Sequence, residues 1–310
     1  MPLHPSAEAI LPMWRAAGLD LTPETTPQDA RAKLAATAAL GLFPKHPVHA
    51  VGDRAIPGPD GDVPLRVYWP SVATGLPVIV WFHGGGWVLG SIETHDNHCR
   101  QLCDEVGAIV VSVEYRLAPE AKFPAAVDDC VAAWRWVTEH TAALRGDPAR
   151  IAVAGDSAGG NLAAVTALVA RDEELVPPRF QLLVYPVTDY EFDSASMLDN
   201  AVGYGLETDH MRWFFEHYAR TSADHDDWRM SPLRADLHGL PPALVITAEY
   251  DPLRDQGEAY ARKLETAGVE TALIRTDGLF HGFFGLHAFI EPAKLPWDRA
   301  VDLLRVTFED

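Results

Sequence analysis

A serine lies between two glycines where an apolar, strand-like segment passes into an alanine-rich segment. In RIAVAGDSAGGNLAA, Ser157 stands between Gly155 and Gly159, and this G-x-S-x-G spacing is typical of a sharp strand-to-helix turn that exposes a nucleophilic hydroxyl. The same residues could instead form the N-cap of a helix between two packing glycines. The pentapeptide alone therefore indicates a candidate nucleophile and leaves the structural alternative open.

A second glycine-rich motif lies upstream, directly after the apolar segment PVIVWF. Its three glycines, Gly84, Gly85 and Gly86, allow backbone N–H groups to turn inward without a Cβ in the way. Donors from Gly84 and Gly85, with Ala158 at the start of the helix after the serine, predict an oxyanion hole. A phosphate-binding loop is the alternative, but neither glycine run continues as G-K-[ST] or as a dinucleotide-binding fingerprint. The two motifs together favour acyl transfer.

A serine hydroxyl needs a base, and the base needs an orienting partner. In α/β hydrolases these residues follow the serine in the order acid, then histidine. Asp251 comes directly after the strand-like ALVITAEY, whereas Asp255 lies four residues later, where an acid suits the first turn of a helix. His281 lies in a loop after the last strand-like segment. The order and context predict a triad of Ser157, Asp251 and His281, with Asp255 as the less favoured acid.

Other polar residues near these motifs are expected to support the scaffold. Asp156 adjoins the serine, and Arg116 and Glu120 lie in the segment YRLAPE, which predicts a turn held by side-chain hydrogen bonds. His210 and His217 lie seven apart on a predicted helix. They match no known metal-ligand spacing, so we expect a solvated cap surface and no metal site there.

The elements that must position these residues follow from the apolar pattern. Residues 1–47 are predicted to be helical, with Thr26 as an N-cap, Pro27 at the first helical position and Asp29 completing a capping box. A hairpin follows, and then near-continuous apolar strands alternate with helices, which indicates a parallel sheet covered on both faces. The alternation is interrupted over residues 190–228. We predict an α/β core over residues 48–189 and 229–310, with about eight strands, and a cap formed by residues 1–47 and 190–228.

Composition narrows the classes of partner and compartment. The chain has 310 residues and a formal net charge of −19, which disfavours nucleic acid and acidic membranes as partners. No apolar run approaches the roughly 18 residues of a membrane span, and the N-terminus does not have the pattern of a secretory signal. The cysteines are few and odd in number, which is typical of a reducing compartment: Cys99, Cys103 and Cys130.

Five motifs between about residues 77 and 283 occur in a highly specific combination: HGGGW, YRLAPE with FPAA, GDSAGGNLA, DPLRDQGEAYA and HGF. With them the sequence resembles the bacterial hormone-sensitive-lipase-like carboxylesterases of the α/β-hydrolase fold. The resemblance implies a cytoplasmic serine carboxylesterase for short- to medium-chain acyl esters, with no cofactor and with homodimer formation as a family-level expectation. It assigns Ser157 as nucleophile, Asp251 as orienting acid and His281 as base. One departure is Gln256, where we expect an acidic residue in this family.

Two alternatives remain open on the sequence. An amidase or lactonase would use the same triad. A non-catalytic receptor on the hydrolase fold is the alternative from another class, although such receptors commonly lose the base that is present here. The aromatic residues Trp213, Phe214 and Phe215 of the cap could line an acyl pocket or form the cap's own core.

Overall fold

In the computed structural model, which describes residues 2–16, 21–40 and 44–309, eight strands form one sheet. Their bounds are β1 Ala50–Gly58, β2 Gly61–Trp69, β3 Leu76–Phe82, β4 Ile109–Val113, β5 Gly146–Asp156, β6 Gln181–Val184, β7 Ala243–Tyr250 and β8 Thr271–Phe280. The spatial order is β1-β2-β4-β3-β5-β6-β7-β8. The pairs β1–β2 and β2–β4 are antiparallel, and the pairs from β4–β3 to β7–β8 are parallel. The predicted mostly parallel α/β sheet is confirmed.

The described residues also form nine α-helices. Their bounds are α1 Pro5–Trp14, α2 Pro27–Ala39, α3 Ile92–Val106, α4 Ala125–His140, α5 Ala158–Asp172, α6 Ala195–Asp199, α7 Thr208–Tyr218, α8 Arg254–Thr266 and α9 Lys294–Glu309. Short 3-10 turns lie at Thr141–Leu144, Ser222–Asp226, Pro232–Arg234 and Glu291–Ala293. In the described part of the chain no helix is both long and apolar enough to cross a bilayer.

The helices cover both faces of the sheet because successive strand side chains point to opposite sides. On β3, Val78 and Val80 belong to a core that includes residues of α4, α5 and α8, whereas Ile79 and Trp81 belong to a second core with α3 and α9. Both faces of β3 are therefore buried, which is why its sequence is apolar throughout. The three cysteines lie in these cores and are unpaired among the described residues.

The N-terminal helices contact the insertion between β6 and β7. The N–H of Asp29 donates to Thr26 Oγ1 over 3.1 Å, and Pro27 opens α2, so the predicted N-cap and first helical residue are confirmed. The Asp29 carboxylate accepts the Thr26 hydroxyl over 2.7 Å, so the predicted capping box is wrong in its second half. The indole N–H of Trp213 on α7 donates to the carbonyl oxygen of Thr25 over 3.2 Å. The N-terminal segment and the insertion, which the sequence predicts to form one cap, thus contact each other although they lie far apart in the sequence.

The ends of the insertion are held by one side chain of α5. Asn161 is fully buried, and its amide nitrogen donates to the carbonyl oxygens of Val187 and Met230, each over 2.9 Å. Val187 follows β6 and Met230 precedes β7. One amide therefore connects both stems of the cap insertion to the core helix that begins beside Ser157.

Gln256, the departure from the family pattern, also anchors the insertion. Its Oε1 accepts the N–H groups of Thr188 at 2.7 Å and of Asp189 at 3.0 Å. Its Nε2 is buried without a hydrogen-bond partner among the described residues. A carboxylate at this position would accept the same two N–H groups, so glutamine preserves the anchor.

Candidate active site

Ser157 occupies a strained turn between β5 and α5. Its φ of 56° and ψ of −120° lie outside the regions that side chains readily adopt. A Cβ on Gly155 would collide with the carbonyl oxygen of Gly159, and one on Gly159 would collide with that of Phe82. Within the described chain the serine hydroxyl makes no capping hydrogen bond. Glycine is therefore required on both sides of the serine, and the hydroxyl is left for another partner.

That partner is His281, in the loop after β8. The distance from His281 Nε2 to Ser157 Oγ is 3.0 Å, and that from His281 Nδ1 to Asp251 Oδ2 is 2.7 Å. Ser157 and His281 are only 8% and 6% exposed, and Asp251 is 0% exposed. The structure thus brings together, at hydrogen-bond distance, three residues separated by up to 124 positions in the sequence.

The surroundings orient the imidazole. A carboxylate accepts hydrogen bonds, so contact with Asp251 assigns the proton to Nδ1 and leaves the Nε2 lone pair facing the serine. The other carboxylate oxygen, Oδ1, accepts the N–H of Leu253 over 2.8 Å. The ring of Tyr185 packs on that of His281, with centroids 4.4 Å apart. This arrangement can remove a proton from Ser157 and stabilise the resulting imidazolium.

Asp255, the less favoured acid, lies elsewhere. It accepts the N–H of Ser196 over 2.8 Å and the Nε–H of Arg254 over 2.8 Å. Ser196 belongs to α6, so Asp255 anchors the cap helix beside the loop that carries Asp251.

The glycine loop after β3 differs in one respect from the sequence-based expectation. The N–H of Gly84, which was expected from the sequence in the oxyanion hole, donates to Asp156 Oδ1 over 2.9 Å and is therefore already engaged. Gly85 and Gly86 follow with φ of 123° and 60°, and their N–H groups have no hydrogen-bond partner among the described residues. Ala158 is the first residue of α5, where helix geometry leaves the N–H unpaired.

Asp156 supports this loop. Its Oδ1 also lies 3.2 Å from His95 Nε2 of α3. Burial by itself would raise the pKa of this carboxyl, but the imidazoles of His95, His98 and His83 hold the pKa below its ordinary value. Asp156 is therefore an ionised acceptor that connects the serine turn to the glycine loop. Sequence reasoning placed Asp156 in the scaffold and missed His95, although His95 and His98 stand three apart on a predicted helix.

Arg116 and Glu120 also have scaffold partners. Arg116 Nε and Nη2 donate to the two carboxylate oxygens of Asp129, over 2.8 and 2.9 Å. Glu120 forms an ion pair with Arg31 of α2 at 2.8 Å. Arg31 Nε donates to the carbonyl oxygen of Val88 over 2.7 Å, so it connects the N-terminal cap segment to the turn after the glycines. No local signal indicated Arg31, because its partners lie far away in the sequence.

Two aromatic rings of the cap lie against the catalytic loops. A Cβ on Gly86 would collide with the ring of Phe214, and one on Gly282 would collide with the ring of Trp14. Gly282 directly follows His281. Phe214 therefore covers the glycine loop and Trp14 covers the loop of the base. Sequence reasoning proposed Phe214 as a candidate and did not single out Trp14.

The other aromatic candidates join the insertion to neighbouring segments and belong to the same core as Trp87 and the residues of α4 and α5. Trp213 donates to the N-terminal segment as described, and Phe215 packs on Trp87 with ring centroids 5.4 Å apart. His217 stacks on Trp213, with centroids 4.3 Å apart. His210 is 6% exposed, so the expected solvated surface is wrong for this residue; its Nδ1 accepts the Glu207 N–H and closes a capping box of α7.

Comparison with known proteins agrees with this geometry. The profile of the α/β-hydrolase fold family matches residues 79–285. The chain is 49% identical over 244 residues to carboxylesterase NlhH of Mycobacterium tuberculosis, covering 76% of each chain. It is 39% identical over 303 residues to an ethyl acetate hydrolase of Pseudomonas putida, covering 94% of this chain and 95% of the other.

A solved structure extends the likeness to the whole chain. The hyperthermophilic esterase of the archaeon Pyrobaculum calidifontis superposes with a TM-score of 0.93 at 43% identity, and the match covers 99% of each chain. The similarity therefore extends over nearly the whole chain. It includes the segments that form the serine turn and the glycine loop. The chain belongs to the hormone-sensitive-lipase-like carboxylesterase family of the α/β-hydrolase fold.

Proposed function

We propose that this protein hydrolyses carboxylic esters, with Ser157 as nucleophile, His281 as base and Asp251 as the acid that orients it. The observation that carries the proposal is the continuous hydrogen-bonded chain from Ser157 Oγ through the imidazole to the buried carboxylate, at 3.0 and 2.7 Å. The similarity to named carboxylesterases supports the same reaction class.

In the first step, His281 Nε2 accepts the proton of Ser157 while Oγ attacks the carbonyl carbon of the ester. The negative charge that develops on the carbonyl oxygen needs preorganised donors. We assign these donors to the N–H groups of Gly85, Gly86 and Ala158, because Gly84 already donates to Asp156. The carboxylate of Asp251 stabilises the imidazolium.

In the second step, the tetrahedral intermediate collapses as His281 donates its proton to the alkoxy oxygen, and the alcohol departs. An acyl group remains on Ser157. A water molecule then gives a proton to His281 and attacks the acyl carbon. Collapse of the second intermediate releases the carboxylic acid and restores the serine hydroxyl.

The substrates that we propose are short- to medium-chain acyl esters. Phe214 against Gly86 and Trp14 against Gly282 place bulky rings beside the two catalytic loops, which limits the room for a long acyl chain. The ethyl acetate hydrolase among the relatives supports short acyl groups.

A cytoplasmic location and a homodimer complete the proposal. The unpaired, buried thiols of Cys99, Cys103 and Cys130 support a reducing compartment. The dimer is an expectation from family resemblance, and sedimentation of the purified protein tests it. The net charge of −19 argues against a nucleic-acid partner.

The test is hydrolysis of p-nitrophenyl butyrate by the wild type and by Ser157→Ala. The variant should lose at least about 10⁴-fold in kcat, because the covalent route is removed. Ser71→Ala, in the loop before β3 at the opposite edge of the sheet, is the control and should retain wild-type activity. Equal rates for wild type and Ser157→Ala would overturn the proposal, and a wild type active only on amides or lactones would redirect it.

A further inference from the structure

One carboxylate joins the nucleophile to the glycine loop. Asp156 directly precedes Ser157, and its Oδ1 accepts the N–H of Gly84 over 2.9 Å. The contact is close, since a Cβ on Gly84 would collide with the Asp156 carboxylate. Two of the three N–H groups that would hold the oxyanion, those of Gly85 and Gly86, follow Gly84 directly in the chain. Their position relative to Ser157 Oγ therefore depends on this hydrogen bond.

The Asp156 carboxylate has a second partner, which holds it from the side of α3. His95 Nε2 lies 3.2 Å from Oδ1, the same oxygen that accepts the Gly84 N–H. The other ring nitrogen, Nδ1, lies 2.9 Å from Thr94 Oγ1. The exposed fractions of the His95 and Asp156 side chains are 14% and 13%. Both nitrogens of the imidazole are thus engaged, and the contact with Asp156 is largely shielded from water.

The ring of His95 also packs against two other imidazoles. Its centroid lies 5.5 Å from that of His83 and 5.4 Å from that of His98, with the rings tilted by 35° and 34°. His83 directly precedes Gly84, and its Nδ1 lies 2.9 Å from the Gly84 carbonyl oxygen. His95 therefore contacts the root of the glycine loop by packing and reaches the Gly84 N–H through Asp156.

We propose that His95 is a positioning residue for ester hydrolysis, which acts through Asp156 to hold the glycine loop at the correct distance from Ser157. The inference rests on the proposed function of the Ser157 site. Oxyanion donors act only within about 2.7–3.1 Å of the oxygen that they stabilise, and a displacement of about 1 Å can cost about 10²-fold in rate. Loss of the His95 contact should therefore affect the transition state more than substrate binding.

The first experiment compares His95→Phe, which keeps an aromatic ring and loses the N–H, with His95→Gln, whose amide can place an N–H near the position of Nε2. For p-nitrophenyl butyrate, His95→Phe should lower kcat by about 10- to 100-fold with KM changed less than about threefold. His95→Gln should retain kcat within about fivefold of the wild type. The inhibition constant of an alkyl trifluoromethyl ketone, which forms a tetrahedral oxyanion adduct with the serine, should rise in parallel with the loss in kcat.

The control is His46→Phe. This substitution removes another contact between a histidine and a carboxylate of α3, since His46 Nε2 lies 2.8 Å from Asp104 Oδ2. Asp104 lies further along this helix than His95. The kcat and inhibition constant of this variant should stay at wild-type values. If His95→Phe does not fold, His95→Asn replaces it, because the asparagine side chain is too short to reach Asp156.

A double-mutant cycle tests whether His95 acts through Asp156. In an Asp156→Leu background, which lacks the acceptor, His95→Phe should lower kcat by less than about twofold further. Asp156→Asn, which keeps an acceptor oxygen, should be milder than Asp156→Leu.

Wild-type kcat in His95→Phe, a loss confined to KM, or the full loss repeated in the Asp156→Leu background would overturn the inference. If Ser157→Ala is inactive and His95→Phe is as active as the wild type, only this inference fails. If Ser157→Ala retains activity, the proposed function itself fails.

Discussion

At the scale of single residues, two large aromatic side chains pack directly against glycines of the site. Gly86 accommodates the ring of Phe214, and Gly282 accommodates that of Trp14. Phe214 is 2% exposed, so its ring fills space above the glycine loop and does not face solvent. The size of this one side chain should therefore decide how long an acyl group can lie beside Ser157.

Phe214→Ala should shift the acyl-chain preference toward longer esters. Removal of the ring opens space beside the glycine loop, and each methylene buried there contributes about 0.8 kcal/mol. The ratio of kcat/KM for p-nitrophenyl decanoate to that for the butyrate should rise by about tenfold or more. A chain-length series measures the ratio.

Phe192→Ala is the matched control for this shift. The Phe192 ring packs on Tyr190 and beneath Arg212, with ring centroids 5.0 Å apart for the aromatic pair, within the cap. Its chain-length profile should stay like that of the wild type. An unchanged profile in Phe214→Ala would show that Phe214 does not bound the acyl site.

At the scale of elements, the core helices hold the cap by its stems. Asn161 of α5 donates to Val187 and Met230, and Gln256 of α8 accepts from Thr188. Both helices also border the triad, since α5 begins after Ser157 and α8 follows Asp251. The insertion is thus attached to the core beside the residues of the proposed triad.

Asn161→Ala should lower the free energy of unfolding by about 2–4 kcal/mol, because two buried carbonyl oxygens lose their donor and a cavity is added. Urea unfolding followed by fluorescence measures the change. Asn97→Ala, which removes one partly buried hydrogen bond to the His46 N–H, is the control and should cost less than about 1.5 kcal/mol. Equal losses in the two variants would contradict the proposed anchoring by Asn161.

At the scale of the whole molecule, the carboxyl ends of the parallel strands assemble the site. The glycine loop follows β3, Ser157 follows β5, Asp251 follows β7 and His281 follows β8. Parallel strands place these ends at one edge of the sheet, where open α/β sheets carry their sites. The same edge holds the buried histidines His83 and His98, which makes the stability of the fold sensitive to acid.

Burial lowers the pKa of His83 to about 3 and that of His98 to about 4. His83 Nε2 and His98 Nδ1 are buried without partners among the described residues, so protonation would add an N–H with no acceptor. The unfolded chain, with histidine pKa near 6.5, binds more protons below that pH. The free energy of unfolding therefore falls as pH drops from about 6.5 toward 4.

The expected loss between pH 7 and pH 5 is about 2 kcal/mol for a histidine that stays neutral in the folded state. His98→Gln can keep a donor for the carbonyl oxygen of Phe284, which His98 Nε2 contacts at 2.8 Å, and it does not titrate. Its loss between the two pH values should be smaller than that of the wild type by about 1–2 kcal/mol. Urea titrations at both pH values measure the difference, and an identical loss would contradict this account.

The sequence by itself determined the sheet and the serine turn. These features depend on neighbours along the chain: apolar runs specify buried strands, and a serine on a tight turn requires glycine at Gly155 and Gly159. The start of α2 at Thr26 and Pro27 was predictable for the same local reason. Only such short-range requirements can be recognised from neighbouring residues in the sequence. The order of the proposed triad came from the known pattern of α/β hydrolases.

The tertiary structure decided which donors and side chains complete the site. Gly84 looks like its neighbours in the sequence, yet its N–H is taken by Asp156, 72 positions away. Other elements contribute side chains that contact the loops of the site or their partners: Phe214, Trp14, Arg31 and His95. A hydrogen bond or ring contact between distant segments depends on how helices and strands pack, and no local pattern encodes whether a given backbone donor is free or already engaged.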